Sequence, residues 1–187
     1  LILPEGQNNR DTQGFLMNSV RTNGLNNDKM NNIASYIDIG STTLAAGTAY
    51  SMMAWLKPSD LSSNYWFGSG TNYFSINTSS SILVNHNNVG DGFTVSEMTV
   101  DEWLHLAIVR DTSNLVTVYV DGIANGGATL DTETADQPFT YRYIGSTGTN
   151  PTYTFNGQID DVAIYDTELS AAQILRNYKA GKGRHRN

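Results

Sequence analysis

Short stretches of alternating apolar and polar residues follow one another along the chain, separated by Gly, Asn, Asp, Ser and Thr. Because side chains alternate between the two faces of a strand, this pattern predicts half-buried β-strands. With no helical pattern between them, they predict an all-β antiparallel sandwich or jelly roll. The predicted strands are Ile33 to Ile39, Tyr50 to Lys57, Tyr65 to Gly68, Tyr73 to Asn77, Ile82 to Asn85, Phe93 to Val95, Trp103 to Arg110, Leu115 to Val120, Tyr141 to Gly145 and Gln158 to Tyr165.

A hairpin is predicted over Trp103 to Asp121, because the turn sequence RDTSN separates two strand patterns there. The first of these strands is apolar on both faces, which indicates a central position in its sheet. In the second, alternation places Val116, Val118 and Val120 inward and Tyr119 outward.

Both ends of the chain depart from the strand pattern. Residues 1–30 are rich in Asn, Asp and Gly and predict an irregular arm, in which Phe15, Leu16 and Met17 cover a sheet edge. Near the other end, Ser170 to Gln173 has the form of a capping box and predicts one short helix before Gly181. Residues 181–187 form a basic tail.

Composition narrows the classes of function. The formal net charge is −7, so nucleic acid is not expected as the main partner. The chain has no cysteine, which excludes disulfides and thiolate metal sites but leaves sites with oxygen ligands. No apolar run is long enough to span a bilayer, and membrane insertion is not expected.

Three segments in this order carry a resemblance to a known family: ASYIDIGSTTLAAGTAYSMMAWLKP, EWLHLAIVRDTSNLVTVYVDG and YIGSTGTNPTYTFNGQIDDVAIYDTELSAAQI. They resemble the laminin G-like, concanavalin A-like jelly roll superfamily, over roughly Asn31 to Tyr178. The resemblance implies a two-sheet antiparallel sandwich over residues 31–180. Members of the superfamily include lectins, adhesion modules, viral surface proteins and some glycan-cleaving enzymes.

The adjacent carboxylates of Asp160 and Asp161 lie inside the last predicted strand. Members of the family often hold a structural Ca²⁺ at the position of Asp160, so the resemblance implies a calcium site there. Its further ligands would come from the segment before the first core strand, near Asn31 or Asp28. The alternative is that Asp160 lies at a strand bend or bonds to backbone amides, and that Asp161 is solvated on the outer face.

Aromatic residues beside amides are the materials of a sugar site, because a ring packs on the apolar face of a pyranose. Tyr65, Trp66 and Tyr73 lie in such a stretch, with Asn64 and Asn72 beside them, and Tyr153 lies in a later loop. Alternation places Tyr65 and Trp66 on opposite faces of one strand, so the aromatic residues do not all face one groove. Tyr65, Trp66, Tyr73 and Tyr153 are the predicted ligand-binding residues.

Catalysis is not expected. Glycan-cleaving relatives carry an E-x-D-x-x-E strand, which places two carboxylates about 5 Å apart. The nearest match here, Asp131 to Glu133, lies in a turn-rich stretch. His105 fits a packed, hydrogen-bonded core histidine better than a base.

These observations favour a non-catalytic recognition module that acts outside the cell or on the surface of a particle. Carbohydrate binding and adhesion, with a glycan or a surface protein as partner, form the first hypothesis. The alternative is a structural surface protein, such as a virion decoration or fibre component, that docks on a larger assembly. The N-terminal arm and the basic tail, with Lys179, Lys182, Arg184 and Arg186, are the candidates for that docking. A glycoside hydrolase or lyase ranks last.

Overall fold

The computed structural model describes residues 14–16, 36–129, 137–148 and 153–186. These residues contain mostly strand and one helix, which confirms the predicted all-β class. The helix is α1 (Ala171–Lys182). The strands are β1 (Gly14–Leu16), β2 (Ile37–Leu44), β3 (Tyr50–Pro58), β4 (Asn64–Ser69), β5 (Asn72–Thr78), β6 (Ser81–His86), β7 (Val89–Thr94), β8 (Leu104–Arg110), β9 (Leu115–Val120), β10 (Ile123–Thr129), β11 (Phe139–Ile144) and β12 (Gly157–Tyr165).

The strands form two six-stranded sheets in which every pair is antiparallel. Sheet A has the order β1-β12-β3-β8-β9-β10, and sheet B has the order β2-β11-β4-β5-β6-β7. Strands distant in sequence lie side by side, as β12 does beside β3, so the chain passes repeatedly between the sheets. This is the connectivity of a jelly-roll sandwich.

The core lies between the two sheets and is built from their inward-facing residues. From sheet B, Trp66, Phe67 and Phe74 are fully buried and their rings contact one another. Sheet A contributes aliphatic side chains opposite them, among them Leu106 and Val118. Because these large side chains pack closely against one another, they set the distance between the two sheets.

Helix α1 covers the outer face of sheet A. Ile174 of the helix and Leu169 before it are buried against Met53, Ala107 and Val109. This second apolar cluster explains why β3 and β8 are apolar on both faces, and β8 is central as predicted. Tyr119, which alternation placed outward, faces this cluster and is buried.

The helix begins as the sequence predicts and ends later. Ser170 is the N-cap and forms both hydrogen bonds of the capping box with Gln173. The helix continues through Gly181 to Lys182, two residues into the segment expected to be tail. Gly181 is buried, and a Cβ there would lie 2.2 Å from Nε1 of Trp55. Only glycine therefore lets the last turn lie this close to the sheet.

Two strands were not among the predicted ones. Strand β1 pairs with β12, opposing Phe15 to Ile164 and Leu16 to Ala163, so these two residues cover a sheet edge as expected. Met17 and the rest of the arm lie outside the described residues. Strand β10, with sequence IANGGAT, is poor in strand-forming residues and forms because it pairs with β9.

Candidate functional site

Three tyrosines from separate parts of the chain meet on the outer face of sheet B. The rings of Tyr65 and Tyr73 lie edge to face with centroids 5.0 Å apart. The ring of Tyr153 lies edge to face with Tyr65 at 5.3 Å. Tyr65 and Tyr73 are half-buried, and Tyr153 is 45% exposed. We call these three residues the tyrosine cluster.

The register of sheet B places the first two tyrosines on one face. Tyr65 of β4 opposes Ser75 of β5, and Ser75 shares a face with Tyr73 two residues earlier. Tyr73 opposes Asn85 of β6, which in turn opposes Gly90 of β7. Small residues and an amide therefore continue the face beside the cluster.

The third tyrosine is positioned by a loop that folds back on β4. The backbone N–H of Tyr65 donates to the carbonyl oxygen of Thr154 at 3.3 Å. The carbonyl oxygen of Tyr153 accepts from the backbone N–H of Thr147 at 3.1 Å and lies 3.0 Å from Oγ of Ser146. These bonds hold Tyr153 beside the sheet, although it is far from Tyr65 in sequence.

Gly68 makes the close approach of Tyr73 possible. The two residues oppose each other in neighbouring strands. A Cβ at Gly68 would lie 2.3 Å from the carbonyl oxygen of Asn72 and 2.7 Å from Cβ of Tyr73. Any side chain at this position would push β5 away from β4 and change the position of the Tyr73 ring.

The hydroxyl groups of Tyr65 and Tyr73 stay neutral at physiological pH. Burial raises the pKa of Tyr65, and the nearby Tyr153 raises it further. Burial also raises the pKa of Tyr73, with smaller contributions from Tyr65 and Tyr153. Neutral phenols both donate and accept hydrogen bonds, as sugar hydroxyls do. The cluster thus offers apolar ring surface and polar groups side by side, without a charge.

Trp66, also predicted to touch ligand, lies in the core. Its side chain is fully buried against Phe67 and Phe74, so the structure corrects this assignment. The β4–β5 register shifts between Tyr65 and Phe67, and this irregularity lets both Trp66 and Phe67 point inward.

The amides expected beside the tyrosines have structural partners. Asn64 is buried, and its side chain donates to the carbonyl oxygens of Asp60 and Asn156 and accepts from the N–H of Asn156. Asn72 is also buried, and its Oδ1 accepts from the N–H of Asn87 at 3.3 Å. These residues fasten loops rather than face solvent.

Two further tyrosines extend the same face, and sequence reasoning missed them. Tyr143 of β11 opposes Gly68, which places both on the face of Tyr73. The ring of Tyr36 lies edge to face with Tyr143 at 5.0 Å. Alternation gives the signal for Tyr143, since Ile144 beside it is a core residue. Nothing in the sequence pairs either residue with Tyr73.

The adjacent aspartates of β12 hold the C-terminal segment on the outer face of sheet A. Oδ2 of Asp160 lies 3.1 Å from Nε2 of His185, and both side chains are buried. Asp161 forms an ion pair with Arg184. The register of β12 on β3 shifts just after Asp160, and Asp161 has a φ of 49°, so both carboxylates reach the same segment.

Calcium at Asp160 is not tested by these contacts and stays a prediction. Asn31 and Asp28, its proposed co-ligands, lie outside the described residues. Within the described ranges, no group of three or more His, Asp or Glu side chains is arranged to hold a metal. Oδ1 of Asp160 accepts from the N–H of Asp161, and Oδ2 faces His185. The described contacts of Asp160 therefore do not by themselves form the oxygen shell that Ca²⁺ prefers.

The contacts of Arg184 and His185 differ from what the sequence predicted for Asp161 and for the basic tail. Asp161 is ion-paired, whereas one expectation placed it in solvent. The ring of His185 stacks on Trp55 with centroids 4.4 Å apart and planes 10° apart. This part of the basic tail is therefore packed on its own sheet.

His105 lies beside this segment and is packed as expected. It is 2% exposed, and its ring lies edge to face with Trp55 at 5.4 Å. Burial, together with the nearby His185, lowers the pKa of His105 to about 4. Its Nδ1 has no hydrogen-bond partner among the described residues.

A laminin G-type family model, described as the concanavalin A-like lectin/glucanases superfamily, matches residues 31–175. The chain belongs to this superfamily. Comparison with curated proteins finds no sequence that matches. Among the residues that the structure describes, no helix is long and apolar enough to cross a bilayer.

Solved structures with the same fold include pentraxins and toxin binding domains. The native heptameric SAP-like pentraxin from Limulus polyphemus has a TM-score of 0.56 and 15% identity, over 72% of this chain and 71% of the pentraxin. The botulinum neurotoxin serotype D binding domain has a TM-score of 0.54 and 18% identity, over 79% of this chain and 41% of that one. A botulinum neurotoxin type C structure has a TM-score of 0.52 and 13% identity, over 72% and 36%. At these identities the likeness shows the fold alone, and this chain spans about two fifths of the toxin domains.

Proposed function

We propose that the protein is a non-catalytic carbohydrate-binding module that acts outside the cell or on a particle surface, with the tyrosine cluster as its glycan site. The observation that carries the proposal is the meeting of Tyr65, Tyr73 and Tyr153 on one partly exposed face. Lectin-like membership supports it, as does the description of the similar type C toxin, whose cell entry depends on interaction with two ganglioside molecules.

The geometry suits a neutral sugar ring. Tyr153 presents exposed aromatic surface for the C–H face of a pyranose, and the rings of Tyr65 and Tyr73 lie next to it in the same cluster. No ion pair is recorded for these three side chains among the described contacts. Binding should therefore depend weakly on salt.

A glycan array followed by calorimetry with the strongest hit tests this function. We expect Tyr153→Ala to weaken binding at least tenfold, about 1.4 kcal/mol, and Tyr153→Phe to retain most of it because the ring remains. Ile123→Ala is the matched control, since Ile123 is an exposed apolar residue of sheet A. Equal losses in Tyr153→Ala and Ile123→Ala would contradict the site.

The same array separates the structural alternative. A structural surface protein would give no glycan signal and would assemble with itself or co-purify with a larger particle. Arg184 and His185 already bind Asp161 and Asp160, which removes part of the tail from the surface offered to a partner. This observation favours the carbohydrate-binding function.

Calcium at Asp160 is a second, separable part of the proposal. If Ca²⁺ binds there, added Ca²⁺ should raise the melting temperature of the parent and leave Asp160→Ala unchanged, while Asp160→Ala alone melts lower. Identical calcium responses in the two proteins would refute it. Asp160→Ala removes the contact with His185 and should lower the melting temperature whether or not Ca²⁺ binds. The response to added Ca²⁺ therefore distinguishes the two possibilities.

A further inference from the structure

A pocket lies on the other side of the sandwich from the tyrosine cluster. It has a volume of about 630 Å³ and opens where the C-terminal segment crosses the outer face of sheet A. That volume falls in the range of about 300–1,000 Å³ that small-molecule sites occupy. Its lining includes Trp103, Asp121, Tyr178, Lys182, His185 and Arg186.

The aromatic walls of the pocket are held in place by one another. The ring of His185 stacks on Trp55, and the edge of Trp103 meets His185 with centroids 4.7 Å apart. The ring of Tyr178 stacks on Trp55 at 5.6 Å. Trp103 and Tyr178 remain partly exposed, so the pocket keeps open ring surface although Trp55 beneath it is buried.

The rim carries two cations on a protein whose net charge is −7. Lys182 and Arg186 are both exposed. Nζ of Lys182 lies 5.2 Å from the centroid of the Tyr178 ring. A hydrogen bond with Tyr178 raises the pKa of Lys182, so this group is charged at physiological pH.

One carboxylate completes the lining and is itself fixed. Oδ1 of Asp121 accepts the backbone N–H of His105 at 2.9 Å, and the N–H of Asp121 donates to the carbonyl oxygen of His105 at 2.8 Å. The remaining acceptor capacity of this carboxylate suits a hydroxyl donor. The pocket therefore combines two cations, one acceptor and an aromatic wall.

We propose that this pocket binds the acidic sugar of a saccharide, with the sugar carboxylate at Lys182 and Arg186 and the ring against Trp103. Asp121 accepts a sugar hydroxyl. Lys182 already interacts with Tyr178 and with the carboxylate of Asp121, so an acidic sugar adds a second anionic partner that a neutral sugar does not supply. A simple inorganic anion would make no contact with the aromatic wall. The inference rests on the proposed carbohydrate recognition but uses a surface separate from the tyrosine cluster.

Matched pairs of methyl glycosides test the ligand class. The probes are the glycosides of glucuronic acid and N-acetylneuraminic acid, each with its carboxyl-reduced neutral counterpart, titrated by ligand-observed NMR and tryptophan fluorescence. We expect saturable binding of at least one acidic probe, with its neutral counterpart at least tenfold weaker. If neither acidic probe saturates, or if the neutral forms bind equally well, the proposal is wrong.

Variants then locate the site. Lys182→Ala and Arg186→Ala should together weaken binding of the acidic probe at least tenfold. Trp103→Ala should reduce the fluorescence response, since Trp55 also lines the pocket. Lys179→Ala is the matched control, because Lys179 is an exposed lysine of the same helix outside the pocket. An equal loss in Lys179→Ala would show general charge attraction and overturn the assignment.

A variant of the tyrosine cluster separates this inference from the proposed function. Tyr153→Ala should leave acidic-probe binding unchanged. If Tyr153→Ala abolishes it and the double variant at Lys182 and Arg186 does not, the pocket proposal fails while carbohydrate recognition by the cluster stands. If the array glycan fails to bind and the acidic probe still requires Lys182 and Arg186, the cluster fails and the pocket stands.

Discussion

The outer faces of the two sheets differ in what covers them. On sheet A, helix α1 and the segment after it bury Met53, Ala107 and Val109 and fasten to Asp160. On sheet B, the described part of the chain leaves Tyr153 45% exposed beside Tyr65 and Tyr73. The first face buries its apolar residues under the helix, and the second leaves its aromatic residues partly exposed.

The difference follows from the residues that alternation directs outward. The central strands of sheet A place Met53, Ala107 and Val109 there, and these need a cover to leave water. Sheet B places Ser75, Gly90 and tyrosines there, which tolerate water. In one fold, the outward positions thus decide which face becomes a second core and which keeps exposed aromatic side chains.

Shortening Ile174 should have the largest effect, because this residue anchors the cover on sheet A. It is fully buried, and Ile174→Ala should lower the free energy of unfolding by roughly 2–5 kcal/mol. Tyr153→Ala on the open face should change it by less than about 0.5 kcal/mol. Urea denaturation of both variants measures the contrast, and similar losses would mean that both outer faces contribute alike to stability.

Acid should weaken the covered face through His105, whose pKa is about 4 in the folded protein against 6.5 for a free histidine. Above pH 6.5 the imidazole is neutral in both states. As the pH falls from 6.5 toward 4, the unfolded chain takes up a proton that the folded protein does not, so stability is lost in this window. The loss at this residue should be roughly 2–3 kcal/mol by pH 4.5.

The control for this pH effect is His105→Gln, which removes the titrating group and keeps a polar side chain. The parent should lose more free energy of unfolding between pH 7 and pH 4.5 than the variant does. The excess should be roughly 2–3 kcal/mol. Parallel pH profiles in the two proteins would show that other titrating groups, and not His105, account for the acid sensitivity.

Adding a methyl group at Gly181 should loosen the cover by a smaller amount. Because its Cβ would collide with Trp55, Gly181→Ala should cost about 1–3 kcal/mol of overpacking. Gly183→Ala, two residues later, is the control, since nothing lies within 4 Å of a Cβ there. Calorimetric melting temperatures check the pair. If both substitutions raise or lower the melting temperature equally, the close contact with Trp55 is not what fixes the helix end.

The fold could be predicted from the sequence where an element has its own local pattern of apolar and polar residues. The core strands and the Ser170 cap have such local signals, and the structure confirms them. Strand β10 does not, because its Gly and Asn residues favour turns and its pairing with β9 alone makes it a strand. The inward rotation of Trp66 depends on a shift of register against β5, which no local pattern encodes.

The sequence predicted which types of residue form the candidate site, but it did not predict how they are arranged in space. Tyr65, Tyr73 and Tyr153 were identified as aromatic residues near polar ones, but only the long-range bonds of the loop bring Tyr153 to β4. The contacts of Asp160 and Asp161 with the C-terminal segment were missed for the same reason. Complementary charge in Arg184 and His185 was the only hint, and charge alone does not give a position.

Gly68 offers a way to trace the tyrosine face through evolution. Its missing side chain is what allows β5 to approach β4, so a relative with any larger residue at the aligned position must arrange its Tyr73 equivalent differently. Relatives that keep glycine there together with the three tyrosines should share ligand preference. Those that lose it should diverge in specificity while retaining the same sandwich.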